Sequence, residues 1–337
     1  MKAIGFKTSL PIENEDSFIE FEIIKPKPKG KEILVKINAI SVNPVDFKIR
    51  QNSAKDIVLA EPKIIGWDAV GIVEAIGDDV SLFKVGDEVF YAGDVTKQGS
   101  NATYQLVDER IVGFAPKNIS NTEAAAMPLT SLTAWEILFD RIRISKEKDK
   151  GKSILIIGGA GGVGSVAIQL AKKIAGLTVL ATASRNETTD WCKQIGADHI
   201  VNHKDLMNDV RKAGFEHLDY IVDFVDTNDY WDIMVELIKP QGHIASITGS
   251  SEPIVLNKLK SKSVSFSWEF MFTRSMFQTD DMIEQHHILN KISALLDSEQ
   301  IVSTVSHTFK SFTVENLKEA HKLLESGKTI GKIVIEY

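Results

Sequence analysis

The sequence predicts an α/β protein of two domains: a doubly wound parallel sheet of Rossmann type, and a β-barrel-like domain that the chain leaves and later rejoins. Three observations carry this expectation. The first third alternates apolar and polar residues in short runs separated by Gly and Asp. From Lys152 onward strand-like and helix-like segments take turns, the pattern of βαβ units stacked into one parallel sheet. The C-terminal stretch returns to a mixed pattern and would bury too little surface as a separate tail. A length of 337 residues leaves room for two such cores. The expected division is 1–122 with 267–337 for the barrel-like domain, and 123–266 for the doubly wound one.

The elements follow in chain order. Ile33, Val35, Ile37 and Ala39 are apolar while Lys36 and Asn38 are polar, the alternation of a half-buried strand. Residues 69–76 form a second run closed by Gly77-Asp78-Asp79, and residues 87–91 a third entered through Val85-Gly86. Asn121-Thr122-Glu123 ahead of three alanines marks a helix start, and residues 133–139 suggest another helix. Residues 154–157 are a compact apolar strand ending in a Gly-rich turn. In the next helix Val163, Val166, Ala167, Leu170, Ala171 and Ile174 share one face, with Ser165, Gln169, Lys172 and Lys173 on the other. Further strands are expected at 178–183, 199–201, 220–224 and 243–247. Residues 306–309 and 332–335 read as strands and 314–324 as an amphipathic helix.

Composition narrows the function classes. The net charge is −7 with no basic block, a surface that repels phosphate backbones, so a nucleic-acid partner is not expected. Cys192 is the one cysteine; it cannot form an intrachain disulfide or a Cys-rich metal site, and the expected location is cytoplasmic. The opening MKAIGFK lacks the apolar core of a signal peptide. Residues 154–171 are long and uncharged enough to raise a membrane span, but the glycines in their middle favour a buried strand–turn–helix.

Gly159-Ala160-Gly161-Gly162-Val163-Gly164 matches G-x-G-x-x-G. The pattern alone is weak. Here it follows an apolar strand and opens an amphipathic helix, the context that makes it a dinucleotide site. The first glycine permits the tight turn, the second lets backbone amides approach a pyrophosphate, and the third allows close helix–strand packing. A site for NAD carries Asp or Glu at the end of the second strand, about 20 residues beyond the glycines. That place holds Ala183-Ser184-Arg185-Asn186, with no carboxylate. Ser184 can donate to a ribose 2′-phosphate and Arg185 can neutralise it, so NADPH is the expected cofactor.

With these motifs in view the chain resembles the medium-chain dehydrogenase/reductase superfamily, in its quinone oxidoreductase (zeta-crystallin-like) branch. The likeness runs over nearly the whole chain: Ser41-Val42-Asn43-Pro44-Val45-Asp46, Pro128-Leu129-Thr130-Ser131-Leu132-Thr133-Ala134-Trp135, the glycine loop, and Gly331-Lys332-Ile333-Val334. The stretch Trp268-Glu269-Phe270-Met271-Phe272-Thr273-Arg274-Ser275-Met276-Phe277 is similar to a subgroup called zinc-type alcohol dehydrogenase-like. The resemblance implies a GroES-like barrel and a nicotinamide held between the domains. It also implies Asn43 and Thr133 near that ring, the loop Thr248-Gly249-Ser250 against the cofactor, and Lys332 among the cofactor-binding residues. His203 stands where relatives place a Tyr near the phosphates. Asp46 and Arg50 fit the branch's N-x-x-D-x-x-x-R, and Lys48 replaces a frequent Tyr. Homodimers or homotetramers joined at edge strands are implied as well, near residues 243–247 and 262–266.

The zinc members carry G-H-E-x-x-G-x5-G-x-x-V. Gly66, Gly71, Gly77 and Val80 keep that spacing, but Trp67-Asp68 replaces His-Glu. The family's Cys ligand aligns with Asn43, whose amide is a poor zinc ligand. A four-Cys lobe is impossible with one cysteine. His199 and His203, or the neighbours His286 and His287, offer no replacement set, so no metal is expected. Without a Lewis acid an unactivated ketone is a poor acceptor, whereas quinones and enones are already electrophilic. The expected function is therefore NADPH-dependent reduction of a quinone or activated carbonyl compound, with enoyl or enone reduction as the alternative. Asn43, Asp46 and Lys48 are the candidate catalytic residues, and solvent is an alternative proton source. An NADPH-binding sensor with little turnover is the alternative of another class.

Overall fold

Period-2 alternation becomes a set of strands whose inward residues are fully buried. The computed structural model describes every residue from Met1 to Tyr337. It divides into two units, Met1–Leu129 with Phe272–Tyr337, and Thr130–Met271.

In the first unit, β1 (Lys2–Gly5) and β2 (Ile19–Glu22) form an antiparallel pair. The larger sheet is organised by β3 (Glu32–Ser41), in which Ile33, Val35, Ile37 and Ala39 are buried and Lys36 is exposed. After β3 the chain enters helix α1 (Pro44–Asn52), with Pro44 at its first turn, where no amide is missed. Strands β4 (Ala69–Ile76), β5 (Glu88–Tyr91), β6 (Tyr104–Asp108) and β7 (Val112–Phe114) complete the N-terminal part. β4 pairs along β3, and β6 pairs with its first half, Glu32 opposite Asp108. Gly71 is required where β4 crosses β3: a Cβ there would stand 2.1 Å from the Lys36 carbonyl oxygen. Helix α2 (Asn121–Ala125) opens with a capping box of Ser120 and Glu123. It packs on β3 and β4 of this same unit, so the unit runs on past residue 122 into α3 (Pro128–Trp135).

The second unit holds the doubly wound sheet. The end of α3 widens into a π-helical turn, Glu136–Arg141, and a short helix α4 (Lys146–Asp149) follows. Then come β8 (Ser153–Ile157), α5 (Gly162–Gln169), β9 (Thr178–Thr182), α6 (Asn186–Gln194), β10 (His199–Val201) and α7 (Leu206–Lys212). The unit ends with β11 (Leu218–Asp223), α8 (Thr227–Leu237), β12 (Ile238–Ser246) and β13 (Ser265–Trp268). All neighbouring strands are parallel, in the order β10-β9-β8-β11-β12-β13. Numbered from β8 this is 3-2-1-4-5-6, the dinucleotide-binding order. Residues 154–171 are thus β8, the glycine turn and α5, and no helix is long and apolar enough to cross a membrane.

One detail departs from the sequence reading. Ser165 and Gln169, on the polar side of α5 by periodicity, are both fully buried. Ser165 meets α6, whose Trp191 donates its indole N–H to the Ser165 hydroxyl at 2.8 Å. On that side Lys172 is half-buried and Lys173 exposed, in the π-helical turn Leu170–Ile174 that continues α5.

The chain then rejoins the first unit through α9 (Thr273–Phe277), α10 (Glu284–Asp297), β14 (Val305–Lys310), α11 (Val314–Glu325) and β15 (Lys332–Glu336). β15 pairs with the last part of β3, Val334 opposite Ser41, on the edge whose first half β6 occupies. That pairing brings Lys332 beside the start of α1.

Candidate functional site

In the nucleotide-binding unit the parallel strands all end on one edge of the sheet. Gly159 to Gly164 follow β8, Ser184 and Arg185 follow β9, His203 follows β10, and Gly249 and Ser250 follow β12. The strand order reverses between β8 and β11, and such folds bind ligands in the crevice at that point. The glycines are sterically enforced. A Cβ on Gly164 would lie 2.1 Å from the Gly158 carbonyl oxygen, and one on Gly159 would press Ala181 at 2.8 Å. Gly161 is the N-cap of α5 in extended conformation, and no side chain caps the helix. Its first-turn amides therefore lack protein acceptors and present a positive pole, a set of donors that fits a pyrophosphate.

The end of β9 carries a second feature. The Thr182 hydroxyl accepts the Gly158 N–H at 2.8 Å, joining the glycine turn to the second strand. Ser184 and Arg185 beyond it are exposed, and Arg185 stands at the N-cap of α6. No carboxylate follows the strand until Glu187 inside that helix. His203 is exposed at the start of a one-turn helix after β10. Thr133 is buried on α3. Cys192, on α6, is fully buried, and burial pushes its thiol up to about 12.

The barrel unit brings together residues that are far apart in sequence. Asn43 precedes α1, and Asp46 on the first turn of that helix accepts the Asn43 backbone N–H at 2.8 Å. The Asn43 side-chain amide donates to Asp68 Oδ2 at 2.8 Å, while Asp68 Oδ1 accepts the Leu129 N–H at 2.8 Å. Lys332 Nζ completes the group. It donates to the Val42 carbonyl at 2.8 Å and to Asn43 Oδ1 at 2.5 Å, and stands 3.1 Å from Asp68 Oδ2. Asn43, Asp46, Asp68 and Lys332 all have at most 4% of their surface exposed. Burial pushes the Asp46 carboxyl up to about 8, against the pull of the Asn43 N–H and the Lys332 ammonium. Burial raises Asp68 too, and Lys332 and Asn43 oppose that rise.

This network decides the metal question on chemistry. Trp67, where a histidine ligand would stand, is fully buried and directs its indole N–H to the Asp94 carbonyl at 3.1 Å, its ring edge-on to Phe272. The Asn43 amide nitrogen is a donor, and the remaining member is a cation that would repel a metal ion. Asp46 is bonded to the Asn43 backbone, and Asp68, the carboxyl at the Asn43 side chain, lies beside an ammonium, a set that does not fit zinc. No three His, Cys, Asp or Glu side chains elsewhere in the chain are grouped to hold a metal.

Several sequence-derived assignments acquire definite places. Asn43, Asp46 and Lys332 share the buried network, in which Lys332 spends its three donor directions within its own unit. Lys48 is exposed on α1 and outside that network. Arg50 does not bond Asp46. It donates to the Leu10 carbonyl at 2.6 Å and pairs with Glu325 on α11 at 2.6 Å. Asp68 entered the sequence reading only as the replacement of a motif glutamate, and nothing local marked it as the partner of Lys332. Asp223, at the end of β11, was not singled out, though it is fully buried and burial raises its carboxyl against the pull of Val225, Thr248 and Ser246.

Known proteins give this arrangement its family. Residues 29–129 match the alcohol dehydrogenase GroES-like domain and residues 195–335 the zinc-binding dehydrogenase family. A zinc-type alcohol dehydrogenase-like protein of Staphylococcus aureus is 50% identical over 99% of both chains. The chain belongs to the medium-chain dehydrogenase/reductase superfamily. This dehydrogenase/reductase is accordingly an oxidoreductase. A Rhizobium etli protein, solved as a candidate zinc-dependent alcohol dehydrogenase, is 45% identical with a TM-score of 0.95, covering 100% of this chain and 98% of that one. The chloroplastic NADPH-dependent alkenal/one oxidoreductase of Arabidopsis thaliana is 31% identical over 94% of this chain and 75% of its own. The word zinc in the family name does not extend to the residues present here.

Proposed function

We infer that this oxidoreductase passes a hydride from NADPH to a quinone or an α,β-unsaturated carbonyl compound without a metal. One observation carries the reading: the positions that would ligate zinc hold Asn43 and Trp67, and the Asn43 side chain is bonded to Asp68 and to the Lys332 ammonium. A saturated ketone would find no Lewis acid in that set, whereas a conjugated acceptor is electrophilic by itself. The Arabidopsis relative, named for NADPH and for alkenals, supports the enone side of this pair.

NADPH supplies two electrons as a hydride from its dihydronicotinamide ring. The chain's own residues do the rest. The open amides at the start of α5 hold the pyrophosphate, and Ser184 and Arg185 hold the 2′-phosphate that distinguishes NADPH from NADH. The acceptor gains one proton as well. Lys48, exposed on α1, can deliver it, and solvent can do the same. Asp46 is less suited, because its carboxyl is buried and already bonded to the Asn43 N–H.

The test is NADPH consumption against a panel of quinones, enones, saturated ketones and alcohols, with metal content measured on the same sample. The expected result is turnover with quinones or enones, none with saturated ketones, and no loss of rate in chelator. Stoichiometric zinc together with alcohol oxidation would overturn the reading.

A further inference from the structure

The loop after β12, which carries Gly249 and Ser250, is tied to the β11–α8 corner at two points. The first tie is Asp223, the last residue of β11. Its Oδ1 accepts the N–H groups of Val225 at 2.9 Å and Asp226 at 3.3 Å, and its Oδ2 accepts the Thr248 hydroxyl at 3.1 Å. Thr227 donates to the Thr248 carbonyl at 2.8 Å, and the Thr248 N–H donates to the Ser246 hydroxyl at 3.1 Å. Asp223, Thr227 and Ser246 are all fully buried, so water does not compete for these bonds.

The second tie is Asn228, in the first turn of α8. Its Oδ1 accepts the Ser251 N–H at 2.8 Å, the Ser251 hydroxyl at 3.1 Å and the Glu252 N–H at 3.3 Å. Its amide nitrogen donates to the Glu252 carbonyl at 3.2 Å. Only Gly249 and Ser250 lie between the two ties. Gly249 has no atom within 4 Å of where a side chain would begin, so the tip is open.

We propose that Asp223 and Asn228 are positioning residues that keep the Gly249–Ser250 tip ordered for the nicotinamide half of the dinucleotide, and take no part in holding the adenosine half. The inference rests on the reading that these strand ends bind NADPH. In a doubly wound sheet the two halves of a dinucleotide lie on opposite sides of the reversal point. Here the 2′-phosphate candidates Ser184 and Arg185 follow β9 on one side, and the tied loop follows β12 on the other. A loop that is already ordered loses little entropy when ligand arrives. A loop freed from one tie must be ordered by the ligand, at the expense of affinity.

The test uses the full-length protein and two probes: NADPH, and 2′,5′-ADP, which has the adenine and 2′-phosphate but no nicotinamide. Asn228→Ala is the primary variant, because Asn228 is half-exposed and its loss leaves the core intact; Asp223→Asn is the second. Freeing the equivalent of one residue should weaken NADPH roughly five- to thirtyfold, with 2′,5′-ADP unchanged. Asn228→Asp, which keeps the acceptor oxygens, should recover most of the affinity. Amide exchange at residues 248–252 should quicken in Asn228→Ala while residues 158–164 keep wild-type protection. Equal loss for both probes, or no loss for either, would overturn the proposal. Wild-type protein that binds neither probe would remove the reading beneath it, and the inference with it.

Discussion

In the nucleotide-binding unit the functional groups are backbone amides and exposed side chains at strand ends, whereas in the barrel unit they are buried side chains that satisfy one another. The first site is open: α5 begins without a side-chain cap, and Ser184 and Arg185 face water. The second is closed: the Lys332 ammonium, the Asn43 amide and the Asp68 carboxylate bond among themselves. An open site can lose a side chain and forfeit a ligand. A closed network that loses one member leaves a charge buried without its partner. The two regions should therefore answer substitution in different currencies, affinity in one and stability in the other.

The largest effect is expected at Lys332. Lys332→Met leaves Asp68 buried and uncompensated, a loss of about 3–5 kcal/mol when one partner of a buried pair is removed. The double variant Lys332→Met with Asp68→Asn should recover a good part of it, since no charge then remains. Urea unfolding of the four proteins in the cycle measures this. Strict additivity would mean that the two residues do not act as a pair, and the contrast with the open site would lose its basis.

Asp46 supplies a pH test of the same closure. Its folded carboxyl is pushed up to about 8, above the ordinary value of 3.8. Between those values the folded state holds a proton that the unfolded chain has lost. The contribution of Asp46 to stability should therefore be complete at low pH and fall as pH rises toward 8, by up to about 1.4 kcal/mol per pH unit. Asp68, also raised, adds to the fall in the same direction. Asp46→Asn keeps an oxygen for the Asn43 N–H and should flatten the curve. Parallel curves for wild type and variant would show that Asp46 is solvated after all.

The two regions also differ in how far the sequence exposes them. The glycine motif is legible because its constraint is local: the carbonyl that excludes a side chain at Gly164 belongs to Gly158, in the same turn. Strands β3, β4, β5, β8, β9, β10, β11, β12, β14 and β15 are legible from alternation and short apolar runs, since burial repeats with the period of the backbone, whereas β1, β2, β6 and β7 are not marked that way. The barrel network was not legible, because Lys332 meets Asn43 from 289 residues away and only β15 pairing with β3 brings them together. The motif marks Lys332 as a cofactor residue, and the fold sets its ammonium between Asn43 and Asp68. The burial of Ser165 is hidden for a related reason: periodicity shows which residues share a face, not which helix covers it. Asp223 and Asn228 escaped notice because their partners lie across a strand crossover.

In the open site, Gly164→Ala should cost stability as well as affinity, about 1–3 kcal/mol, because the new methyl group must displace the Gly158 carbonyl 2.1 Å away. NADPH binding should fall more than tenfold as the turn moves. This variant is the exception that sharpens the contrast, since its damage reaches stability through the backbone itself. Retained affinity would mean that the turn adapts and that its amides are not preset for a phosphate.

The smallest effect belongs to Arg185, and it is the one that separates the two cofactors. Arg185 is exposed, so its removal should leave unfolding unchanged to within about 0.5 kcal/mol. A charge-assisted contact to a 2′-phosphate is worth about 1.5–3 kcal/mol, so Arg185→Ala should weaken NADPH tenfold or more. NADH has a hydroxyl at that position and should bind the two proteins alike. Titrating both cofactors into both proteins, at two salt concentrations, decides it: the NADPH difference should shrink at high salt, as an exposed charge interaction does. An equal loss for NADH and NADPH would place Arg185 elsewhere on the dinucleotide. Ser184 alone would then carry the preference at the end of β9, and a carboxylate introduced by Ser184→Asp would be the direct way to turn it toward NADH.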